Sequence, residues 1–379
     1  MGIQTSAIKI VYVANRADFQ CIFNNLFCDL IERDSVKQKY RYHDSYQRFV
    51  DHIFPAQSVV IIPHDYPDPD ALGAAAGLQY LLQQRGISRC DIAFAGFVGR
   101  AENRVMVETL NLRSKSLGDI DLSEYDKVIM VDTVPSNGNA SLVSPEDVDA
   151  VLDHHAVTDF EVKNTDKTLY EVHHTLGATS TLVTYFLLAA KLGIPAEIAT
   201  GLFYGIKTDT KNMGRNCFDA DLFAFKYLFD LIDHQALSRI ENPPREPEYL
   251  ELLQRASAAM QISEDFGYTH LGTVSMPDFV PEMADVFHSL KQLEWMVASA
   301  FFNNQIIFSV RSKESQEAGL LTQKFTKILG GSGGGHPTVA AGRVPIAEGQ
   351  SDVEALTIFV TTLKQVFGIG ASIELSKLL

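Results

Sequence analysis

"SVVIIPHDYPDPDALGAAAG", Ser58–Gly77, passes from an apolar run straight into a crowd of charges. Its first six residues are short, β-branched and apolar, the pattern of a strand buried on both faces. His64, Asp65, Asp68 and Asp70 follow, and "ALGAAAGLQYLLQQRG" then reads as a helix ending at Gly86. The alternation continues downstream. "CDIAFAGF", "KVIMVDT" (127–133) and "DAVLDHH" (149–155) read as strands, and "GATSTLVTYFLLAAKLG" and "PAEIATGLFYGIKTD" as helices. Strands alternating with helices imply an α/β domain with a mainly parallel, doubly wound sheet.

Three of these strands end in the same kind of residue. The first delivers His64, Asp68 and Asp70, the third Asp132, and the fourth Asp153, His154 and His155. Open parallel sheets bind ligands outside the carboxyl ends of their strands. Asp209, closing the second long helix, is a further candidate. Two like charges 4 Å apart repel by about 4 kcal/mol at an effective dielectric near 20. Protons or cations must therefore neutralise such a cluster. Imidazoles beside aspartates suit Mn²⁺, Fe²⁺ or Zn²⁺ better than Mg²⁺ or Ca²⁺. Taken singly, each element has a plainer reading. An Asp-x-Asp at a strand end is often a helix cap or turn, and a His-His pair is more often packing or surface. His173–His174, which no acidic strand end supports, reads as structural. The coincidence on three strands favours a site.

The chain has 379 residues and a formal net charge of −15. That length accommodates two domains, and that charge disfavours long duplex nucleic acid. Cys21, Cys28, Cys90 and Cys217 are scattered and form no C-x-x-C, as in a reducing compartment. No apolar run reaches membrane-span length, and "MGIQTSAIKIVYVANRADF" lacks the charged n-region and long apolar h-region of a signal peptide, so the expectation is a soluble cytoplasmic protein without membrane contact. Prolines and charges at "SRIENPPREPEYLELL" mark a boundary. The expected divisions are an N-terminal appendage (1–54), a catalytic domain (55–240), a linker helix (241–262) and a smaller α/β substrate-binding domain (263–379). Within the last, "YTHLGTVSM", "WMVASAFF" and "QIIFSVRS" read as strands and "EAGLLTQKFTKIL" as a helix. The glycine-rich "GGSGGGHPTVAAG" (330–342) fits neither a Walker A loop nor G-x-G-x-x-G. It reads either as a turn or, with His336 and Arg311, as a backbone nest for a phosphate or carboxylate.

These residues resemble the DHH phosphoesterase superfamily. "HDYPDPDALG", "VDT" (131–133), "DHH" (153–155) and "KTDT" (207–210) stand in the order of its four motifs. "GGGHPTVAAG" is similar to the substrate-binding motif of the DHH-associated domain of nanoRNases. The resemblance implies two divalent metals, most plausibly Mn²⁺. His64, Asp68 and Asp132 would hold one; Asp70, Asp132, His154 and Asp209 the other. His155 would face the scissile phosphate, Asp153 would orient a ligand, and Asp132 and His155 would be catalytic. Arg311, Gly334, Gly335 and His336 would grip a second phosphate. The implied reaction is in-line attack by a metal-bridging hydroxide on short oligonucleotides or linear dinucleotides, releasing mononucleotides. Alternatives are a 3′-phosphoadenosine 5′-phosphate phosphatase and a non-catalytic nucleotide-binding regulator. Ala74 stands where the family often carries Ser, and Pro337 where nanoRNases usually carry a basic residue. The oligomeric state stays open, a homodimer included.

Overall fold

The computed structural model describes residues 41–135, 139–155, 167–313, 317–335 and 337–368, together with the backbone of Ser376–Lys377. Residues 1–40 of the expected N-terminal appendage lie outside these residues. The chain divides into two compact units. The first runs up to Val98 and resumes over Val105–Asn242; the second takes Gly99–Arg104 and the chain from Pro243 onward.

The first unit opens with α1 (His43–Ile53), whose Tyr46, Phe49 and Ile53 share one buried face. Burying a side chain of the size of Phe49 or Ile53 contributes about 1.5–3 kcal/mol. Arg48, on the other side of α1, donates through Nε and Nη2 to both oxygens of the buried Glu171.

A six-stranded sheet follows, built from β1 (Ser58–Pro63), β2 (Arg89–Phe94), β3 (Ser114–Ser116), β4 (Lys127–Val131), β5 (Ala150–Asp153) and β6 (Leu169–Val172). Its order is β3-β2-β1-β4-β5-β6, and every pairing is parallel. Chain order reverses between β1 and β4, the doubly wound arrangement expected from the sequence. Side chains alternate across the sheet, as the strand period of two requires. Val59 and Ile61 join one core and Val60 and Ile62 the other. The first core packs against α2 (Pro69–Gln84), α4 (Thr179–Ala189), α5 (Ala196–Asp209) and α6 (Asp219–Phe229). The second is closed by irregular segments that carry Leu117, Tyr125, Val134, Ala140 and Val148. α3 (Ala101–Thr109), which begins in the Gly99–Arg104 stretch of the second unit, and α7 (His234–Glu241) are the remaining described α-helices before residue 242, and apolar periodicity revealed neither these nor α1 and α6.

The second unit holds a seven-stranded sheet of order β11-β12-β10-β9-β8-β7-β13. The strands are β7 (Gln261–Ser263), β8 (Phe266–Thr273), β9 (Trp295–Phe302), β10 (Gln305–Ser312), β11 (Ser332–Gly335), β12 (Val339–Pro345) and β13 (Ser376–Lys377). Only β8 and β9 pair in parallel among these neighbours. On one face lie α8 (Pro247–Ala259) and α9 (Phe279–His288), with Leu252, Ala256, Met283 and Phe287 packed on Met296, Ala298 and Ala300. The helix expected as a linker is α8, and its apolar face belongs to this core. On the other face lie α10 (Ala318–Ile328) and α11 (Asp352–Val366). There Phe308, Phe325 and Phe359 pack edge to face, with ring centres 4.9–5.3 Å apart. Among the described residues no helix is long and apolar enough to cross a membrane.

Candidate metal centre

The carboxyl ends of β1, β4 and β5 deliver His64, Asp132 and Asp153, beside the point where chain order reverses. Asp132 follows the last residue of β4 at a φ of 60°, a left-handed conformation that Asp tolerates better than most residues. Its side chain is 2% exposed. Thr179 donates its hydroxyl to Asp132 Oδ1 at 2.9 Å.

Asp68 and Asp70 flank the start of α2. Asp68 is the helix N-cap, its Oδ1 accepting from the backbone N–H groups of Asp70 and Ala71. The cap reading and the site reading of this Asp-x-Asp therefore apply together. Asp70 is almost fully buried, and its oxygens accept from the N–H groups of Thr179 and Ser180 at 2.6 and 2.9 Å. These are the first residues of α4, whose positive helix end steadies a buried carboxylate. Sequence reasoning missed Thr179 and Ser180; the N-cap-type run "GATST" ahead of an apolar helix was the available signal.

Asp209 reaches the same place from the far end of α5. A Cβ on Gly73 of α2 would lie 2.7 Å from the Gly201 carbonyl oxygen, and one on Gly205 would lie 3.0 Å from Asp70 Oδ1. Only glycine permits this approach. The small residues after Asp70 make room for α5. The close crossing carries Asp209 to within 2.9 Å of His154, measured from Oδ2 to Nε2. Arg215 holds Asp209 from behind, donating to its carbonyl and to Oδ1.

The two histidines are held alike. His64 Nδ1 lies 2.9 Å from the Asp65 carbonyl oxygen, and His154 Nδ1 lies 3.3 Å from that of Leu176. Each carbonyl can take an Nδ1 proton, which leaves Nε2 facing carboxylates. His64 Nε2 is 3.7 Å from Asp132 and 3.9 Å from Asp68. His154 Nε2 is 3.5 Å from Asp132 and 4.0 Å from Asp70. Asp153 is fully buried and gathers its own motif, with Oδ1 accepting from the N–H groups of His154 and His155 and lying 2.8 Å from His155 Nδ1.

Potential ligand atoms fall into three groups, each mutually within 4.8 Å: His64, Asp68 and Asp132; Asp70, His154 and Asp209; and Asp132, Asp153, His154 and His155. Without cations the cluster would have to retain protons. Burial, then the charges of Asp70, Asp68, Asp153 and Asp209, push the Asp132 carboxyl well above its usual range. Burial and the neighbouring Asp209 raise Asp70 to about 6. Burial works against a charged His154, but Asp209 and Asp70 outweigh it and lift the imidazole to about 9. Against the same pull of burial, His64 and the Ala71 amide hold Asp68 below its ordinary value. His154 Nε2 and Asp153 Oδ2 are buried without a hydrogen-bond partner. A mixed imidazole–carboxylate set with an orphaned ring nitrogen fits Mn²⁺-type cations.

The residues expected to grip a second phosphate lie in the second unit. Arg311 is buried on β10, and its guanidinium donates to Asp285, Ser309 and the Val310 carbonyl. Gly334 and Gly335 belong to β11, in register with Ala341 and Ala340 of β12. The glycine-rich run is thus an edge strand, and its glycines serve close packing: a Cβ on Gly335 would lie 2.3 Å from the Val339 carbonyl oxygen. His336 lies outside the described residues. His173 faces Glu171, with Nε2 3.0 Å from Oε2, away from the acidic cluster.

Residues 58–206 match the DHH family, N-terminal domain, and residues 276–368 match the DHHA1 domain. The two matches support the DHH phosphoesterase superfamily. An uncharacterized protein of Methanocaldococcus jannaschii is 31% identical over 301 residues, covering 79% of this chain and 60% of that protein. A probable manganese-dependent inorganic pyrophosphatase of Enterococcus faecalis is 27% identical over 176 residues, 46% of this chain and 56% of the relative. The chain therefore spans less than two thirds of either relative's length. In fold it is similar to an exopolyphosphatase-related protein from Bacteroides fragilis, with a TM-score of 0.67 at 18% identity, covering 87% of this chain and 97% of that one.

Proposed function

We propose that this protein is a divalent-metal phosphoesterase that hydrolyses short oligonucleotides or linear dinucleotides to mononucleotides. The observation that carries the reading is Asp132, which stands in the ligand-atom group of His64 and Asp68 and also within 3.5 Å of His154, the centre of the group with Asp70 and Asp209. One carboxylate placed between two such groups is the arrangement of a two-cation clamp.

In this reading His64, Asp68 and Asp132 hold one cation, and Asp70, Asp132, His154 and Asp209 the other. The name of the pyrophosphatase relative favours Mn²⁺. The cations would supply Lewis acidity at phosphoryl oxygens and lower the pKa of water. The chain's own residues do the rest. Asp153 Oδ1 accepts from His155 Nδ1, which leaves Nε2 as the atom to meet the scissile phosphate, and in the imidazolium form that Nε2–H donates to a phosphoryl oxygen. Thr179 and the amides opening α4 fix the Asp132 and Asp70 carboxylates so that they do not reorganise during turnover. Arg311, with the backbone near Gly334 and Gly335 and with His336, would take a second phosphate, the guanidinium exchanging Asp285 for it.

The test is incubation of the purified protein with Mn²⁺ and, separately, linear pApA, a pentanucleotide, 3′-phosphoadenosine 5′-phosphate and pyrophosphate. Mononucleotide release from the first two is expected to be faster than phosphate release from the others. Preference for 3′-phosphoadenosine 5′-phosphate would make the protein a phosphatase. Tight binding without any turnover would make it a regulator.

A further inference from the structure

Tyr66 lies between His64 and Asp68, two residues from each and so no more than about 7 Å of chain from either. It is an unusual residue for its place. Its φ is 54°, a left-handed conformation that is an outlier for a bulky side chain. Its ring is not core packing, because the residue is 49% exposed. The nearby chain is arranged to keep it there. The N–H of Tyr66 donates to the Ala95 carbonyl at 3.1 Å. The N–H of Asp65 donates to the Asn139 carbonyl, and Asp65 Oδ2 accepts from the Ser141 N–H. Asp65, which the metal groups do not use, thus pins the turn that presents the tyrosine. Gly96, at a φ of 81°, lets the ring lie across it: a Cβ there would be 2.6 Å from Tyr66 Cε1. Phe97, 37% exposed, meets Tyr66 edge to face with ring centres 5.5 Å apart.

Two solvent-facing aromatic rings therefore stand at the carboxyl ends of the adjacent strands β1 and β2, on the edge that gathers the acidic cluster. Left-handed backbone at an exposed aromatic persists where the surroundings over-determine it, and such places cluster at functional sites. We propose that Tyr66 and Phe97 form a stacking platform for the nucleobase attached to the phosphate at the metal centre. A base hangs one sugar away from its phosphate, so a platform two residues from the ligands is correctly spaced. The inference rests on the proposed function and sharpens it, because it makes the substrate a nucleotide in place of pyrophosphate or polyphosphate. Stacking on an aromatic face tolerates every base, so the preference is for a base and not for a sequence.

The experiment is calorimetric titration of the Mn²⁺-loaded protein with adenosine 5′-monophosphate and with ribose 5-phosphate. The nucleotide is expected to bind about 5- to 150-fold more tightly, the range that stacking one base provides. Phe97→Ala and Tyr66→Ala should each shrink that ratio toward one, while Tyr66→Phe, which keeps the ring, should retain it. Phe97 lies outside the His64–Asp70 turn, so it carries the test if Tyr66→Ala disturbs metal loading or folding. Equal affinity of the wild type for the two ligands overturns the inference, as does a ratio that survives Phe97→Ala. Because the readout is binding, a protein that prefers the nucleotide yet hydrolyses no oligonucleotide would sink the proposed function and leave the platform standing.

Discussion

His154 Nε2 lies 2.9 Å from Asp209 Oδ2, yet the nitrogen has no hydrogen-bond partner. The contact joins the end of β5 to the end of α5 and brings a ring nitrogen among three carboxylates, those of Asp70, Asp132 and Asp209. The ring is charge-paired with these carboxylates when protonated, and when neutral its Nε2 is placed to ligate a cation.

Asp132→Asn is expected to separate stability from function. If Asp132 bridges the two cations as proposed, its loss should lower activity by more than about 100-fold, beyond the 10- to 100-fold cost of losing an outer partner. Mn²⁺ content should fall with it. The same change relieves a buried carboxylate held far above its ordinary pKa by burial and like charges. The chelator-treated variant should therefore melt higher than the treated wild type, by about 2–4 °C for a gain near 1 kcal/mol. Unchanged rate and metal content would disprove the shared role.

Thr179→Val tests the hydroxyl that holds Asp132 Oδ1. The shape is kept and one hydrogen bond is lost. Mn²⁺ affinity or turnover is expected to drop about 10- to 100-fold, with Thr179→Ser restoring most of it. Equal loss in both variants would point to packing.

Mn²⁺ uptake should release protons, and its affinity should rise with pH. His154 is raised to about 9, so below that pH a cation competes with a proton for the imidazole. One competing proton gives about tenfold in apparent affinity per pH unit. Stability of the chelator-treated protein has the opposite slope. A group whose folded pKa is raised stabilises fully below its unfolded value and loses that contribution as pH rises through the folded value. For His154 the window runs from 6.5 to about 9, and for Asp70 from 3.8 to about 6. Thermal melts between pH 6.5 and 9 should fall without Mn²⁺ and stay nearly level at saturating Mn²⁺.

Gly73→Ala should act at a distance. The added methyl would meet the Gly201 carbonyl oxygen at 2.7 Å, and backbone cannot rotate away. Overpacking of this kind costs about 1–3 kcal/mol, read as a lower denaturant midpoint. Forcing α2 and α5 apart should also move Asp209 from His154 and weaken Mn²⁺ binding. A variant that loses stability but binds Mn²⁺ normally would show that the crossing does not set the site.

Much of this architecture was legible in the residue string, for physical reasons that differ by element. β1, β9 and β10 run over the segments read from sequence, because each is an apolar stretch bounded by turn residues. The strand-end His and Asp residues were legible because side-chain chemistry is written in the sequence. The amides of Thr179 and Ser180 were not, since a backbone N–H has no letter of its own. α3, "AENRVMVET", was missed because polar residues outnumber its apolar ones, and β6 because four residues are too few to show a period. The glycine-rich run left two readings open, a turn or a nest, because composition does not show pairing, and Ser332–Gly335 form the edge strand β11 against β12.

The crossing of α2 and α5 limits how this centre can change. Where Gly73 faces Gly201 the closest approach is to backbone, 2.7 Å from a Cβ at Gly73 to the Gly201 carbonyl oxygen, so no change of rotamer relieves it. The inter-helix gap behaves as a fixed gauge set by two backbones. Drift in sequence can alter the loops that present Tyr66 or Arg215, but not the separation of Asp70 from Asp209. Lineages that retool this scaffold for other phosphate compounds would be expected to do so at the rim, with the gauge left as it is.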